Sequence, residues 1–322
     1  MSLKERKKKH SRKRSLVILL VLAVCACLAG GTYTFSRLLD GRQLNGLRPP
    51  QSAKPAVEKA KIYSGWREAQ KPEELRLTAW DGTPLVGWYI KAARPSGRLV
   101  VLIHGYKNDA SLMAGYAKYY HEDGFDVFLA DNRGHGVSGG EYIGMGWLDR
   151  LDYLGWLDLL VQKTGPDSEI VLHGLSMGGA AVMGLSSEVL PPQVKAIIED
   201  SGYSSVYDEF LYQIKDRYGY GPLAYPLLAV ADLESRLLAG YGFSEADFVN
   251  AVSTAPLPIL FIHGSADTFV PPCMALKLYE AASGEKELWI LPGVDHGMAF
   301  DADPDEYFAR IKSFYDKYLQ RR

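Results

Sequence analysis

A strand that turns into a helix within a few residues has room for almost nothing at the turn. Residues 169–184, EIVLHGLSMGGAAVMG, suit such a turn. Ile170, Val171 and Leu172 have β character, and an alanine-rich helical pattern follows Gly174-Leu175-Ser176-Met177-Gly178-Gly179. A serine at the tip takes a strained backbone conformation, so the residues two positions away on either side must lack bulk. Gly174 and Gly178 meet that need, and Gly179 lets the helix approach the sheet. The turn lifts the Ser176 hydroxyl above the strand ends, over a helix N-terminus that favours developing negative charge. In a chain with 32 glycines this pattern alone also fits a glycine-rich turn with an incidental serine, so context must decide.

The context is a series of short apolar runs between helical patterns. Leu75–Trp80 and Leu85–Ile90 flank Asp81-Gly82, a turn signal, and predict an opening antiparallel hairpin. Leu99–Ile103 and Val127–Ala130 are wholly apolar, as strands buried on both faces must be. Further strands are predicted at Val194–Glu199, Ile259–Ile262 and Glu287–Leu291. Ser111–Glu122 reads as a helix. Leu148, Leu151, Leu154, Leu157 and Leu160 mark the apolar face of another, with Asp149, Asp152 and Asp158 placed outside it. A last helix shows Tyr307, Phe308, Ile311, Phe314, Tyr315, Tyr318 and Leu319 at helical spacing. This alternation predicts an α/β fold over residues 72–322 with a mostly parallel, doubly wound, eight-stranded sheet. Residues 204–250 are too long for a simple loop, and read as an inserted helical cap. Its many aromatics either line an apolar substrate pocket or pack the cap onto the core.

Residues 1–14 form a basic tail, KERKKKHSRKR from Lys4, and Ser15–Phe35 carries no charge. About 20 apolar residues make a helix of roughly 30 Å, enough to cross a hydrocarbon core. With the basic block before it, a transmembrane signal anchor at 15–36 is predicted, the body lying outside the cytoplasm. A signal cleaved near Ala29, giving a secreted protein, and a lipid anchor around Cys25 and Cys27 are the competing readings. Residues 37–71, with Pro49, Pro50 and Pro55, read as a linker. The first 15 residues hold eight of the 36 Lys/Arg and one of the 38 Asp/Glu, leaving 28 basic and 37 acidic residues. So acidic a body argues against nucleic acid as partner. Cys273 is alone in the body, which excludes an internal disulfide there. It reads as a small buried apolar residue, and no Cys/His spacing suggests a metal site.

A serine hydroxyl attacks well only when a histidine takes its proton and an acid steadies the imidazolium. Ser176, Asp267 in FIHGSADTFVP and His296 in LPGVDHGMAF each follow a predicted strand. With these, RGHGVSG at Arg133–Gly139 and HGSADTFVP at His263–Pro271 cover roughly Leu75–Leu319. The chain thus resembles the α/β-hydrolase superfamily, close to its capped serine aminopeptidase-like and esterase/lipase hydrolases. The resemblance implies the order Ser176 nucleophile, Asp267 acid, His296 base. Asp200 and Asp295 rival Asp267, and His135 is a weaker rival to His296. His104, His173 and His263 read as structural. The oxyanion donors would be the backbone N–H groups of Tyr106 and Met177. Arg133 reads as tying down its loop. The implied chemistry is cleavage of an ester, thioester or amide through an acyl-enzyme, with no cofactor or metal, on a small acyl substrate of apolar character. A carboxylic ester is favoured over an aminopeptidase substrate. An acyltransferase shares the same residues, and a non-catalytic binding protein on this fold is the rival of another class.

Overall fold

The computed structural model describes residues 22, 25–41, 63 and 65–320. One eight-stranded sheet runs through the body in the order β1-β2-β4-β3-β5-β6-β7-β8. Its strands are β1 (Glu73–Thr78), β2 (Pro84–Ile90), β3 (Arg98–Ile103), β4 (Asp126–Ala130), β5 (Glu169–Leu175), β6 (Val194–Asp200), β7 (Ile259–Gly264) and β8 (Lys286–Leu291). β1 and β2 pair antiparallel, β2 joins β4 antiparallel, and β3 to β8 are parallel. The chain thus opens on the expected hairpin, and each central strand follows an apolar run read from sequence.

Period-two alternation divides the core between the two faces of the sheet. Leu99, Val101 and Ile103 of β3 face one cluster, with Phe128, Ile170 and Leu172. Val100 and Leu102 face the other, with Val127, Leu129 and Val171. Each such side chain contributes about 1.5–3 kcal/mol by leaving water. Helices α4 (Asp149–Thr164), α5 (Met177–Leu185) and α9 (Pro272–Ala281) cover the first face, and α3 (Ala114–Glu122), the short α10 (Ala299–Ala302) and α11 (Pro304–Tyr315) the second. α11 buries Tyr307, Phe308, Ile311, Phe314 and Tyr315, while Tyr318 and Leu319 lie in the turn after it.

α4 presents a different face from the one expected. Asp149 and Asp152, placed outside by the leucine pattern, are buried, and only Asp158 of the three is exposed. The cause is a partner distant in sequence. Arg133 donates to both oxygens of Asp152 at 2.7 and 2.6 Å and to Asp81 at 2.8 Å, while Asp149 accepts the Gly146 N–H at 2.8 Å. Arg133 therefore ties its loop down. Cys273, expected to be buried, is exposed: α9 turns Met274, Ala275 and Leu278 inward and leaves position 273 outside.

Between β6 and β7 the chain forms α6 (Val206–Tyr212), α7 (Ala224–Glu234) and α8 (Phe248–Ser253). α6 and α7 run on into wider π-type turns, Gln213–Arg217 and Ser235–Ala239. The rings here divide into two groups. Tyr203, Phe210, Tyr241 and Phe243 are buried in packing, and Tyr218, Tyr220 and Tyr225 point outward. Tyr203 and Tyr241 donate to the carbonyls of Met145 and Ile143, fastening this segment to the loop before α4.

The segment read as a membrane anchor lies partly outside the described residues. Its described part continues as helix α1 (residues 25–39). Among the described residues no helix is long and apolar enough to cross a membrane. Of the stretch read as a linker, residues 42–62 and 64 also lie outside the description, but its described ends do not stand apart from the body. Leu39 is fully buried in the first core cluster, and its carbonyl accepts the Ile143 N–H at 2.9 Å. Helix α2 (residues 65–69) sets Trp66 edge-on to His121 and Arg67 over the Trp88 ring.

Candidate active site

The chain order β3, β4, β5 makes the sheet reverse its winding between β3 and β5. In open α/β sheets the crevice at the carboxyl ends of such strands is where ligands sit. The turn after β5 lies there, with the loop after β3 against it. Ser176 has φ 57° and ψ −114°, outside the regions open to an ordinary L-residue at low cost. The flanking glycines show why this sequence tolerates it. A Cβ on Gly174 would collide with the Gly178 carbonyl, and one on Gly178 with the Ile103 carbonyl. A Cβ on Gly105 would lie 3.3 Å from that of Ser176, so the His104-Gly105-Tyr106 loop passes directly beside it.

Ser176 Oγ stands 2.9 Å from His296 Nε2, and His296 Nδ1 stands 2.7 Å from Asp267 Oδ2. The structure thus brings together, in one hydrogen-bonded line, three side chains that sequence spreads over 120 positions. Ser176 is nearly buried and the Asp267 side chain wholly so, while His296 keeps some exposure. Asp267 Oδ1 accepts the N–H groups of Phe269 and Val270, both at 2.8 Å, which fixes the carboxylate. Burial pushes its pKa up, but the bonds from His263 and His296 outweigh that and hold it at about 2.

The rival acids have other partners. Asp200 accepts from Tyr307 Oη and Ser201 Oγ, both at 2.7 Å. Asp295 accepts the backbone N–H of His296 at 2.8 Å and so fixes that turn. The other buried histidines are also engaged. His104 donates to the Gly105 carbonyl and accepts the Asn132 N–H. His135 donates to the Arg133 carbonyl and accepts the Lys107 N–H. His173 sits between Tyr120 and Tyr307. Burial depresses all three, to about 4, 3 and 3, so they remain neutral at physiological pH.

Sequence reasoning missed two contributors. His263, read as structural because a strand-end glycine follows it, places Nε2 3.2 Å from Asp267 Oδ2 and 2.9 Å from the Val270 carbonyl. It shares the carboxylate with His296, and its spacing of four residues from Asp267 was the available signal. The second is the end of α1. Tyr106 Oη donates to the Leu38 carbonyl at 2.6 Å, so the Tyr106 ring is turned toward α1. Tyr106 and Met177 each lie just after a strand end, beyond β3 and β5.

Glu209 of α6 is buried beside this group. Gln213 donates to its Oε1 at 2.8 Å, and its Oε2 has no partner. Burial, with the Asp267 charge adding to it, raises the Glu209 pKa from 4.5 to about 8 despite the Gln213 bond. The unfolded chain ionises this group near 4.5 and the folded chain only near 8, so its presence lowers stability as pH rises through that window. Glu209→Gln is therefore expected to raise the melting temperature by several degrees at about pH 8 and by almost nothing at about pH 4. Thermal melts across that range measure it, and a pH-independent difference would refute the neutral-acid reading.

The comparisons with known proteins follow this geometry. The family model "Serine aminopeptidase, S33" matches residues 94–208. The Bacillus subtilis (strain 168) protein YqkD is 25% identical over 255 residues, covering 79% of this chain and 82% of its own. The Pyrococcus furiosus esterase Pf2001 superposes with a TM-score of 0.63 at 23% identity, over 77% of this chain and 93% of its own. The Pyrococcus horikoshii acylaminoacyl peptidase gives 0.55 at 20% identity, over 78% of this chain and 42% of its own. Sheet order, the turn after β5 and these likenesses lead to one conclusion: the chain has the α/β-hydrolase fold.

Proposed function

We propose that this protein is a membrane-anchored serine hydrolase that cleaves a carboxylic ester or related acyl bond through an acyl-enzyme. The observation that carries the reading is the hydrogen-bonded line from Ser176 through His296 to Asp267. Ser176 Oγ attacks the acyl carbon while its proton passes to His296 Nε2. Asp267 accepts from Nδ1 and steadies the imidazolium. The oxygen that gains charge lies toward the backbone N–H groups of Tyr106 and Met177. His296 then gives the proton to the leaving alcohol, and a water repeats the sequence on the acyl-enzyme. The S33 description and the likeness to the acylaminoacyl peptidase favour an amide substrate as the second reading. Against an aminopeptidase, burial pushes the pKa of Glu209, whose carboxyl feels the Asp267 charge, up to about 8, so it offers little charge to a substrate ammonium group. Membrane anchoring rests on the uncharged run Ser15–Phe35 behind its basic block.

The test uses the full chain in mild detergent, with a fluorophosphonate probe, p-nitrophenyl esters of increasing acyl length and aminoacyl p-nitroanilides. Labelling with ester turnover above anilide turnover is the expected result. Labelling with anilide turnover alone would replace the ester by an amide. An unlabelled but well-folded protein would end the serine-hydrolase reading.

A further inference from the structure

Helix α7 is apolar on both its inner and its exposed positions, and its two acids, Asp232 and Glu234, are half-buried near its end. Leu228, Ala224 and Ala231 face the core, as expected of a packed helix. Its exposed positions are also apolar: Tyr225, Pro226, Ala229 and Leu233. Leu233 is 55% exposed, and the π-type turn that follows adds Leu237 at 73% and Leu238 at 55%, beside an exposed Arg236 that pairs with Asp232. Just before the helix, Leu223 is 62% exposed. α11 shows solvent Asp305, Glu306 and Arg310 on its outer side. A helix whose exposed positions are apolar belongs against a second apolar phase.

Helix α1 widens the same surface. It crosses α7 at its glycines, where a Cβ on Gly30 would meet Leu227 and one on Gly31 would meet Val230. Thr32 Oγ1 also donates to Glu234 at the end of α7. Leu28 and Tyr33 of α1 are 51% and 67% exposed, and no charged residue is exposed on α1 before Arg37. Tyr218, Tyr220 and Tyr225 stand out from the α7 side of this surface.

We propose that the outer face of α7, its continuation to Leu238 and the adjoining side of α1 lie in the interface of a lipid bilayer. The occupant follows from the chain itself. α1 is the direct continuation of the uncharged run that starts at Ser15, and that run follows eight basic residues able to meet anionic headgroups. The surface is aliphatic with tyrosines, the composition suited to the boundary between headgroups and acyl chains. The same segment touches the loop of Asp267: Tyr212 Oη donates to the Thr268 carbonyl and Gln213 Nε2 to the Phe269 carbonyl. Docking at α7 therefore sets the carboxyl-end crevice of the sheet next to the lipid, and an acyl substrate reaches it from the bilayer. This last clause rests on the proposed hydrolase function, whereas the docking itself does not.

The test places an environment-sensitive nitrobenzoxadiazole probe at Leu237→Cys in the full chain, with Cys25, Cys27 and Cys273 replaced by serine. The protein is reconstituted into phosphatidylcholine and phosphatidylglycerol vesicles, with and without doxyl-labelled lipid. A second probe at Val189→Cys is the control. Val189 is 98% exposed in the turn between α5 and β6, at the opposite end of the sheet from Ser176. Both molecules carry the same N-terminal segment, so the difference between them reports the α7 face alone. The expected result is blue-shifted emission at position 237, reduced twofold or more by shallow doxyl lipid, with water-like, unquenched emission at 189. Emission at 237 matching that at 189 would overturn the proposal. A blue shift at 237 that doxyl lipid leaves unquenched would replace the bilayer with a second copy or another protein. The readout needs no catalysis, so an inactive protein that still quenches at 237 would reject the hydrolase reading and keep the docking.

Discussion

Ser176→Ala should abolish fluorophosphonate labelling and lower ester turnover by roughly 10⁴- to 10⁶-fold, with the protein otherwise folded as before. The size follows from what the substitution removes. On the proposed mechanism alanine loses the nucleophile and nothing that holds the turn, because the Ser176 N–H, not its hydroxyl, donates to the Asp200 carbonyl at 2.7 Å. The backbone donors are untouched, so a residual rate above that of water should persist. His296→Ala should fall to the same floor, and the double variant no lower, since the two side chains act as one unit. Rates measured on purified variants with matching circular dichroism and melting temperatures decide the matter. A Ser176→Ala protein that keeps a tenth of its turnover would place the chemistry elsewhere.

The largest effect on stability is expected from a single methyl group. Gly178→Ala puts a Cβ into the carbonyl oxygen of Ile103, a backbone atom at the end of a strand fully buried in the sheet. The helix cannot retreat, because Met177, Gly179 and Ala180 are themselves buried against the core. The strand cannot yield without moving His104, Gly105 and Tyr106, which follow directly. We expect a loss of more than about 4 kcal/mol, read as a fall in melting temperature of about 10 °C or more. Gly184→Ala is the matched comparison, on the same helix and with the same added atom. There the nearest neighbour is Arg150 Cδ at 3.1 Å, a side-chain atom rather than backbone, and alanine favours the helix, so the change should stay within about 1 kcal/mol. Equal melting temperatures for the two variants would remove the steric account of the turn.

Much of this arrangement is legible in sequence, for a physical reason. A strand covered on both faces must be apolar throughout, so Leu99–Ile103 and Ile259–Ile262 declare themselves. The turn at Ser176 declares itself through glycines that no other residue can replace. What stayed hidden depends on partners far apart in the chain. Asp149 and Asp152 look like the solvent side of an amphipathic helix until Arg133 is placed beside them. His263 looks like one of several histidines beside strand-end glycines until its ring meets the carboxylate of Asp267. Gly30 and Gly31 look like ordinary residues of an apolar run until α7 crosses them. Local pattern reports burial well, but it does not report which buried groups share a partner.

The end of α1 binds at two places distant in the chain. The Leu38 carbonyl holds Tyr106, and the Leu39 carbonyl holds Ile143. Tyr106 begins the loop beside Ser176, and Ile143 in turn accepts from Tyr241 of the segment between β6 and β7. The end of α1, the loop after β3 and the segment between β6 and β7 are thereby one cooperative unit, in which local opening of any part releases hydrogen bonds of the others. A chain trimmed back beyond residue 41 would lose Leu39 from the core together with this fastening. For this protein, solubility gained by shortening the N-terminus comes with a loosened crevice.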